Sequence, residues 1–179
     1  MKKVLILAGS PRKNGNSAAL CREFARGAEE SGNQVELIFV RDKKIGYCQA
    51  CYYCKNHDGV CIINDDMAEI LDKMHAADVI VMASPVYFYS VDAQMKSLID
   101  RTVARWLAIR DKIFYYIMTA AEDTPTVMDC TLACMRGLAA CLKGSSEGGI
   151  ICGKGVYEPG AIRESPAMEE AYAMGRAIS

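Results

Sequence analysis

The sequence has no excess of charge of either sign: 21 lysine and arginine residues stand against 22 aspartate and glutamate residues, for a formal net charge of −1. A protein that binds nucleic acid through the phosphate backbone carries a basic face or stripe. Nucleic acid is therefore not an expected partner. The hydrophobic fraction of 51% and the charged fraction of 24% are ordinary for a globular chain and exclude a disordered one.

Long hydrophobic runs are also missing. The apolar segment after Met-Lys-Lys ends at Gly9, just before Pro11 and Arg12. It is too short to span a membrane, and it lacks the cleavage site of a secretory signal. We therefore expect no membrane association and a cytoplasmic protein. In that reducing compartment, an odd number of nine cysteines indicates metal binding or redox chemistry rather than a disulfide framework.

Several motifs of phosphate chemistry are absent. The loop from Gly9 to Ser17 contains neither G-x-x-x-x-G-K-[ST] nor G-x-G-x-x-G, because Lys13 comes before Gly15 rather than after it. This excludes a P-loop nucleoside triphosphatase and argues against a bound dinucleotide pyrophosphate. The first strand leads into Gly-Ser rather than paired aspartates, which disfavours a receiver-type regulator. No C-x5-R opens the first helix, which disfavours a low-molecular-weight phosphatase.

What the sequence does contain is a regular alternation of strand and helix patterns. Short apolar segments predict five buried strands, at Val4–Ala8, Val35–Val40, Val79–Ala83, Ile113–Met118 and Gly149–Cys152. Segments with helical spacing of apolar residues separate most of them. Strands that alternate with helices require crossover connections and therefore a parallel sheet covered on both faces. We predict an α/β three-layer sandwich with a five-stranded parallel sheet, as a single domain over residues 1–179.

The loop after the first strand is rich in glycines, hydroxyls and amides, and it opens directly onto a helix. Backbone N–H groups and the dipole at that helix start favour a phosphate. Ser10, Asn16 and Ser17 add side-chain donors, and Arg12 can supply charge-assisted hydrogen bonds. A terminal monophosphate fits this loop best. The alternative is an ordinary polar turn in which Asn16 caps the helix.

The loop after the third strand carries three consecutive aromatic residues, Tyr87, Phe88 and Tyr89, behind Ser84-Pro85-Val86. A planar heteroaromatic ring would give them a stacking partner at the end of the sheet. Alternatively, Tyr87 or Phe88 covers the sheet end or contacts another subunit. Thr119, at the end of the fourth strand, is a further candidate donor to such a ring.

Three groups of residues together carry a resemblance to a known family. They are Leu7–Arg12 with Gly15–Ser17; Ser84–Phe88 with Gln94–Lys96 and Ile99–Arg101; and Cys48-x-x-Cys51-x-x-Cys54 before Cys61–Met67. These segments resemble the flavodoxin-like flavoproteins, specifically the NAD(P)H-dependent FMN reductases and iron–sulfur flavoproteins. The resemblance covers most of the first 105 residues, and the last third is only loosely matched.

This resemblance implies a flavodoxin-like fold with noncovalently bound FMN. It implies that the phosphate lies on Ser10, Arg12, Asn14, Asn16 and Ser17, and the isoalloxazine near Pro85, Val86, Tyr87 and Phe88. It further implies a homodimer or homotetramer with the flavin near a subunit interface. The flavin itself would carry the hydride and electron chemistry, so we assign no catalytic side chain.

Cys48, Cys51, Cys54 and Cys61, in a cysteine-rich loop at about residues 46–64, are the candidate metal ligands. Their C-x2-C-x2-C-x6-C spacing starts like a ferredoxin motif, although the last gap is longer and no proline follows. The resemblance implies a [4Fe-4S] cluster. Zinc, or no metal at all, remains an alternative. The other cysteines are predicted to be core residues. Cys130, Cys134 and Cys141 share one helical face, and Cys21 and Cys152 lie in elements with the pattern of buried ones.

Two functions follow. The first is an FMN-dependent oxidoreductase that takes electrons from NAD(P)H or a ferredoxin-like donor and passes them to a flavin, a quinone, a nitro compound or a redox protein. The second is a non-catalytic flavin-binding relay or interaction module whose cysteine loop holds zinc or no metal.

Overall fold

Five parallel strands form the centre of the protein, whose computed structural model describes all of residues 1–179. The strands are β1 Lys3–Ala8, β2 Gln34–Phe39, β3 Val79–Pro85, β4 Ile113–Thr119 and β5 Ser146–Gly153. They pair in the spatial order β2-β1-β3-β4-β5, and every pairing is parallel. This is the strand order of a flavodoxin-like doubly wound sheet.

Five α-helices cover the two faces of the sheet: α1 Asn16–Glu30, α2 Met67–Ala76, α3 Ala93–Arg101, α4 Asp129–Cys141 and α5 Ala167–Arg176. Along β1, Leu5 and Leu7 enter a core shared with α2, α3 and α4, whereas Ile6 and Ala8 enter a core shared with α1 and α5. Successive side chains of a strand point to opposite faces. Both faces are therefore buried, and the predicted three-layer sandwich is confirmed.

The strand order reverses at β1, which has β2 on one side and β3 on the other. Residues 9–15 follow β1 and residues 86–92 follow β3, so both loops leave the carboxyl edge of the sheet at this switch point. Ligands of doubly wound sheets bind in the crevice at this position. The fold thus brings together the two loops that carry the flavin prediction.

Helices α1 and α5 pack closely because each has a glycine at the contact. A Cβ atom at Gly175 would lie 2.1 Å from the carbonyl oxygen of Phe24, and one at Gly27 would lie 2.2 Å from that of Tyr172. Neither position has room for a side chain. This packing holds the C-terminal helix across the face that α1 covers.

The segment between β2 and α2, which contains the four candidate metal ligands, has no α-helix or strand. Short 3-10 helices occur at Val40–Asp42 and Tyr53–Asn56, in agreement with the predicted irregular loop. Further 3-10 helices lie at Thr102–Ala104 and Ala161–Glu164. None of the helices has both the length and the apolar character needed to cross a membrane.

The prediction that the remaining five cysteines are core residues is wrong for four of them. Cys21 is fully buried, but Cys130, Cys141 and Cys152 are exposed and Cys134 is only half-buried. Helix α4 turns Met135 and Leu138 to the sheet instead, and its cysteine face lies on the outside. Periodicity identified the face correctly but could not say which of two uncharged faces meets the sheet.

Candidate functional site

A cavity of about 170 Å³ lies at the carboxyl edge of the sheet and is lined by the loops that follow β1, β3, β4 and β5. Eight of the ten residues predicted to bind the cofactor line it: Ser10, Arg12, Asn16, Ser17, Pro85, Val86, Tyr87 and Thr119. The other two lie outside its walls. Asn14 is exposed on the first loop, and Phe88 is fully exposed at the tip of the third-strand loop.

The start of α1 presents free hydrogen-bond donors beside this cavity. Gly15 is the N-cap residue, so no side chain caps the helix, and its first turn contains no acidic residue. No group of the chain accepts a hydrogen bond from the backbone N–H of Asn16, Ser17 or Ala18. Uncapped N–H groups together with the helix dipole make an anion site. The alternative in which Asn16 caps the helix is not what the structure shows.

The side chain of Asn16 is turned away to the loop after β5. Its Nδ2 donates to the carbonyl oxygens of Val156 and Glu158, at 3.1 and 3.0 Å, and its Oδ1 accepts from the N–H of Gly160 and Ile162, at 3.0 and 3.4 Å. Both amide donors are therefore in use. Asn16 can contribute its backbone N–H to an anion, while its side chain fixes one wall of the cavity.

Two arginines that sequence reasoning missed hold the first loop from outside. Arg22 Nη2 donates to the carbonyl oxygen of Lys13 at 3.1 Å, and Arg41 Nη1 donates to that of Pro11 at 3.3 Å. Arg12 Nη1 donates to the carbonyl oxygen of Tyr157 at 3.2 Å. These guanidinium groups donate to main-chain carbonyl oxygens of the loops and add positive charge to the rim of the cavity. No sequence motif identifies Arg22 and Arg41, because the atoms that accept their hydrogen bonds belong to the main chain.

The aromatic loop after β3 is a tight turn. Tyr87 and Ser90 exchange backbone hydrogen bonds of 2.9 and 3.0 Å, and the two residues between them, Phe88 and Tyr89, have positive φ angles of 49° and 61°. The Tyr89 hydroxyl donates to Glu122 at 2.9 Å, and this hydrogen bond raises the pKa of Tyr89. The same loop lines a second, largely apolar cavity of about 290 Å³ with Ala120, Ala121, Glu122 and Val127.

The base of this turn is closed by Ser84 and Asp92, neither of which was predicted from the sequence as a site residue. The Ser84 hydroxyl donates to Asp92 Oδ2 at 2.9 Å and accepts from the Asp92 N–H at 2.9 Å. Both side chains are buried. Burial raises the pKa of Asp92, and the hydrogen bonds from Met95 and Ser84, which lower it, offset only part of this effect.

All four predicted metal ligands line a separate cavity of about 700 Å³. Cys48 and Cys51 are exposed, and Cys54 and Cys61 are partly buried. The opposite wall is α4, which contributes two thiols that were predicted to lie in the core, Cys134 and Cys141. The thiols share the cavity without converging, and no three metal-ligating side chains are gathered at one point.

The end of the cysteine loop is fixed by a buried ion pair. Arg101 donates to both carboxylate oxygens of Asp65, at 2.7 and 2.9 Å, and also to the carbonyl oxygen of Gly46 at 2.9 Å. Burial by itself raises the pKa of Asp65, but the bonds from Arg101, Gly46 and Met67 outweigh it and the pKa is lowered. The remaining donor, Arg101 Nε, is buried and has no partner.

The chain is similar in sequence to flavin reductases and to iron-sulfur flavoproteins. A sequence model of the NADPH-dependent FMN reductase family matches residues 2–129. An iron-sulfur flavoprotein of Methanocaldococcus jannaschii is 46% identical over 100 residues, which are 56% of this chain and 51% of that protein. An iron-sulfur flavoprotein of Methanosarcina thermophila is 40% identical over 101 residues, 56% of this chain and 52% of that protein. The matched part thus spans about half the length of these relatives.

Solved structures share the fold at low sequence identity. An FMN-dependent NADH-azoreductase from Bacillus anthracis, in complex with FMN, has a TM-score of 0.75 at 17% identity and covers 98% of both chains. An NAD(P)H:quinone oxidoreductase from Methanothermobacter marburgensis has a TM-score of 0.74 at 17% identity, with 98% of this chain and 96% of that chain covered. The family match extends over more than half of the chain, and the protein therefore belongs to the NADPH-dependent FMN reductase family.

Proposed function

We propose that this protein is an FMN-dependent oxidoreductase that takes electrons from NAD(P)H or a ferredoxin-like donor and passes them to a flavin, a quinone, a nitro compound or a redox protein. Membership of an FMN reductase family supports FMN as the cofactor. The observation that carries the proposal is the shared cavity: an uncapped helix start and the aromatic loop of β3 line the same space.

The polar end of this cavity suits a phosphate monoester. The free N–H groups of Asn16, Ser17 and Ala18 can donate to its oxygens, and the Ser10 and Ser17 side chains lie in the same wall. Arg12 stands at the rim. Charge-assisted hydrogen bonds of this kind contribute about 1.5–3 kcal/mol each, so the phosphate would contribute several of them to the affinity.

The other end suits a flat ring. Pro85, Val86 and Tyr87 form an apolar wall, and Thr119, which pairs with Pro85 at the end of β4, lies beside them. Bound FMN supplies hydride and single-electron transfer by itself. The chain has to bind the ring, orient it and limit access to it, so we assign no catalytic side chain. Phe88, outside the cavity, would cover the exposed side of the ring.

The side chains of the cysteine loop are of the kind that bind an iron–sulfur cluster. All four thiols of the loop line one cavity, and thiolates are the usual ligands of such clusters. Burial by itself lowers the pKa of Arg101, but Asp65 and Cys61 raise it, so a guanidinium next to Cys61 would compensate thiolate charge. The unpartnered N–H of Arg101 Nε is available to a sulfur acceptor. We propose that Cys48, Cys51, Cys54 and Cys61 hold a [4Fe-4S] cluster, which would relay single electrons when bound.

We also propose the arrangement of the whole chain. Residues 1–179 would form a single FMN-binding domain with the cysteine loop inserted at about residues 46–64. The chain would work in the cytoplasm, where its thiols stay reduced, as a homodimer or homotetramer. The exposed Phe88, Tyr89 and Trp106 supply apolar surface for a subunit contact.

The test is an absorbance spectrum of protein purified without oxygen, with FMN, iron, sulfide and zinc quantified on the same sample. We expect a flavin spectrum, iron with sulfide, and loss of flavin absorbance on addition of NADPH or NADH. A colourless protein that takes up no added FMN would contradict the flavin proposal. Stoichiometric zinc without electron transfer would favour the non-catalytic module instead.

Comparing FMN with riboflavin isolates the phosphate site, because the two ligands differ only in the phosphate. We expect FMN to bind at least about a hundredfold more tightly, since two charge-assisted bonds contribute about 3 kcal/mol or more. Arg12→Ala should weaken FMN about tenfold and leave riboflavin unchanged. Arg26→Ala, at an exposed position further along α1, is the matched control and should change neither.

A further inference from the structure

One buried carboxylate touches both loops of the proposed flavin site. Asp92 is 1% exposed and lies at the start of α3, yet it forms no ion pair with any lysine or arginine. Its surroundings are neutral hydrogen-bonding groups, and burial raises its pKa. An ionised carboxylate without a cation is costly to bury, so the position calls for a structural explanation.

Each carboxylate oxygen of Asp92 has a separate role. Oδ1 accepts from the backbone N–H of Met95 at 2.9 Å and caps α3. Oδ2 accepts from the Ser84 hydroxyl at 2.9 Å. A helix cap needs only one oxygen, and serine, threonine or asparagine supplies it without a charge. Capping of α3 therefore explains Oδ1 but does not explain why Asp92 carries a second oxygen, Oδ2.

The second oxygen faces both loops. Through Ser84 it closes the base of the β3 loop, whose residues 86–91 carry the aromatic turn. It also lies against Gly9, the first residue of the β1 loop: a Cβ atom there would come within 2.4 Å of Oδ2. The backbone N–H of Gly9 in turn donates to the carbonyl oxygen of Ala83, at 2.8 Å. A single atom thus contacts residues of both loops.

We propose that Asp92 is a positioning residue, which holds the phosphate loop and the ring loop at the separation that a bound flavin needs. The inference rests on the proposed function for its ligand. Asp92 does not line the cavity, so it acts through Ser84 and Gly9 rather than by contact with the ligand.

Three substitutions separate positioning from helix capping. Asp92→Ser restores a cap with its single oxygen but has no second atom for Ser84. Asp92→Asn keeps two polar atoms, since its amide N–H can donate to Ser84 Oγ while the hydroxyl turns to the carbonyl oxygen of Pro85, which lies 2.8 Å away. Asp92→Ala removes both functions. Asp100→Ala, an exposed aspartate on the same helix, is the matched control.

The first measurement is the dissociation constant of FMN for each variant. We expect Asp92→Ala and Asp92→Ser to weaken binding about tenfold or more, Asp92→Asn to stay within about threefold, and Asp100→Ala to equal the unsubstituted protein. FMN affinity of Asp92→Ser equal to that of the unsubstituted protein would reduce Asp92 to a helix cap and overturn the proposal. Asp92→Asn as weak as Asp92→Ala would overturn it as well.

The second measurement is amide hydrogen exchange in FMN-free protein, which does not depend on the proposed function. The Asp92 N–H, bonded to Ser84 Oγ, and the paired N–H groups of Tyr87 and Ser90 should exchange faster in Asp92→Ser than in Asp92→Asn. Equal exchange would refute positioning. If the unsubstituted protein binds no FMN, the proposed function fails, while the exchange rates still decide the role of Asp92.

Should Asp92→Ala fail to fold, Ser84→Ala gives the same test from the other partner. It leaves the α3 cap intact and removes the Ser84 hydroxyl, and with it the bond to Asp92 Oδ2, the acceptor of the Asp92 N–H and the contact with the carbonyl oxygen of Pro85. We expect faster exchange at the paired N–H groups of Tyr87 and Ser90 and weaker FMN binding. No change in either property would contradict the proposal.

Discussion

Arg101 and Asp65 form the buried ion pair of this protein, with side-chain exposures of 2% and 9% and a closest contact of 2.7 Å. Arg101 ends α3, whereas Asp65 ends the cysteine loop. The same guanidinium donates to the carbonyl oxygen of Gly46, where that loop begins. Both ends of the loop are therefore tied to one side chain of the folded core.

Arg101→Ala should destabilise the protein by about 3–5 kcal/mol, because it leaves the Asp65 carboxylate buried without its partner. The free energy of unfolding from urea titrations measures the effect. Lys96→Ala breaks an exposed pair with Asp100 and should cost at most about 1 kcal/mol. Equal costs for the two substitutions would contradict the role assigned to Arg101.

The contribution of Asp65 should depend on pH. Its pKa is lowered below the ordinary value of 3.8, so the unfolded chain takes up a proton first as the pH falls. The stability supplied by Asp65 is then complete above pH 3.8 and is lost as the pH falls through the folded pKa. The difference in unfolding free energy between the unsubstituted protein and Asp65→Asn should shrink only below that pH. A difference that is the same on both sides of it would count against the assignment.

Asn16→Ala should loosen the wall of the proposed flavin cavity. It removes four hydrogen bonds between the start of α1 and residues 156–162, and each buried group left unpaired costs about 1–3 kcal/mol. We expect faster hydrogen exchange at Gly160 and Ile162 together with weaker FMN binding. Asn14→Ala, at an exposed position of the same loop, controls for the loop itself in the exchange measurement. Unchanged exchange in Asn16→Ala would show that these bonds do not fix the wall.

Two glycine substitutions should have opposite effects. Gly175→Ala places a Cβ atom 2.1 Å from the carbonyl oxygen of Phe24, so α1 and α5 must separate, at a cost of about 1–3 kcal/mol. Gly137→Ala meets nothing within 4 Å and should stabilise α4 by up to about 1 kcal/mol, since alanine is the better helix former. Thermal unfolding of both variants checks the pair, and a stable Gly175→Ala variant would contradict the close packing.

Alkylation with iodoacetamide should separate the cysteines into three groups. Cys21 should stay unmodified in the folded protein, because burial raises its pKa to about 12, whereas Cys130 and Cys141 are exposed and should react. The four loop thiols should react in the metal-free protein, be protected once a cluster is assembled, and react again after a chelator removes the iron. Mass mapping gives the result, and loop thiols that react equally with and without iron would exclude them as ligands.

Much of the fold was predictable because hydrophobic periodicity encodes it. Val79–Ala83 is apolar at every position, and only a strand with both faces buried requires that. The structure extends it to Pro85, and it begins β5 at Ser146 rather than Gly149. At that start the sequence shows little hydrophobicity, because Gly148 and Gly149 leave room for the ring of Tyr115.

The sequence by itself determined the succession of strands and helices along the chain, the parallel sheet and the loops at its carboxyl edge, since these follow from local periodicity and chain connectivity. Only the tertiary structure decided that the Asn16 amide bonds to the loop after β5 and that the cysteines of α4 face outward. It also decided that Asp65 pairs with Arg101 and that Asp92 bonds to Ser84. Each of these depends on which groups the fold brings into contact, and a hydrogen bond or an ion pair acts over about 3 Å in space, whatever the distance along the chain.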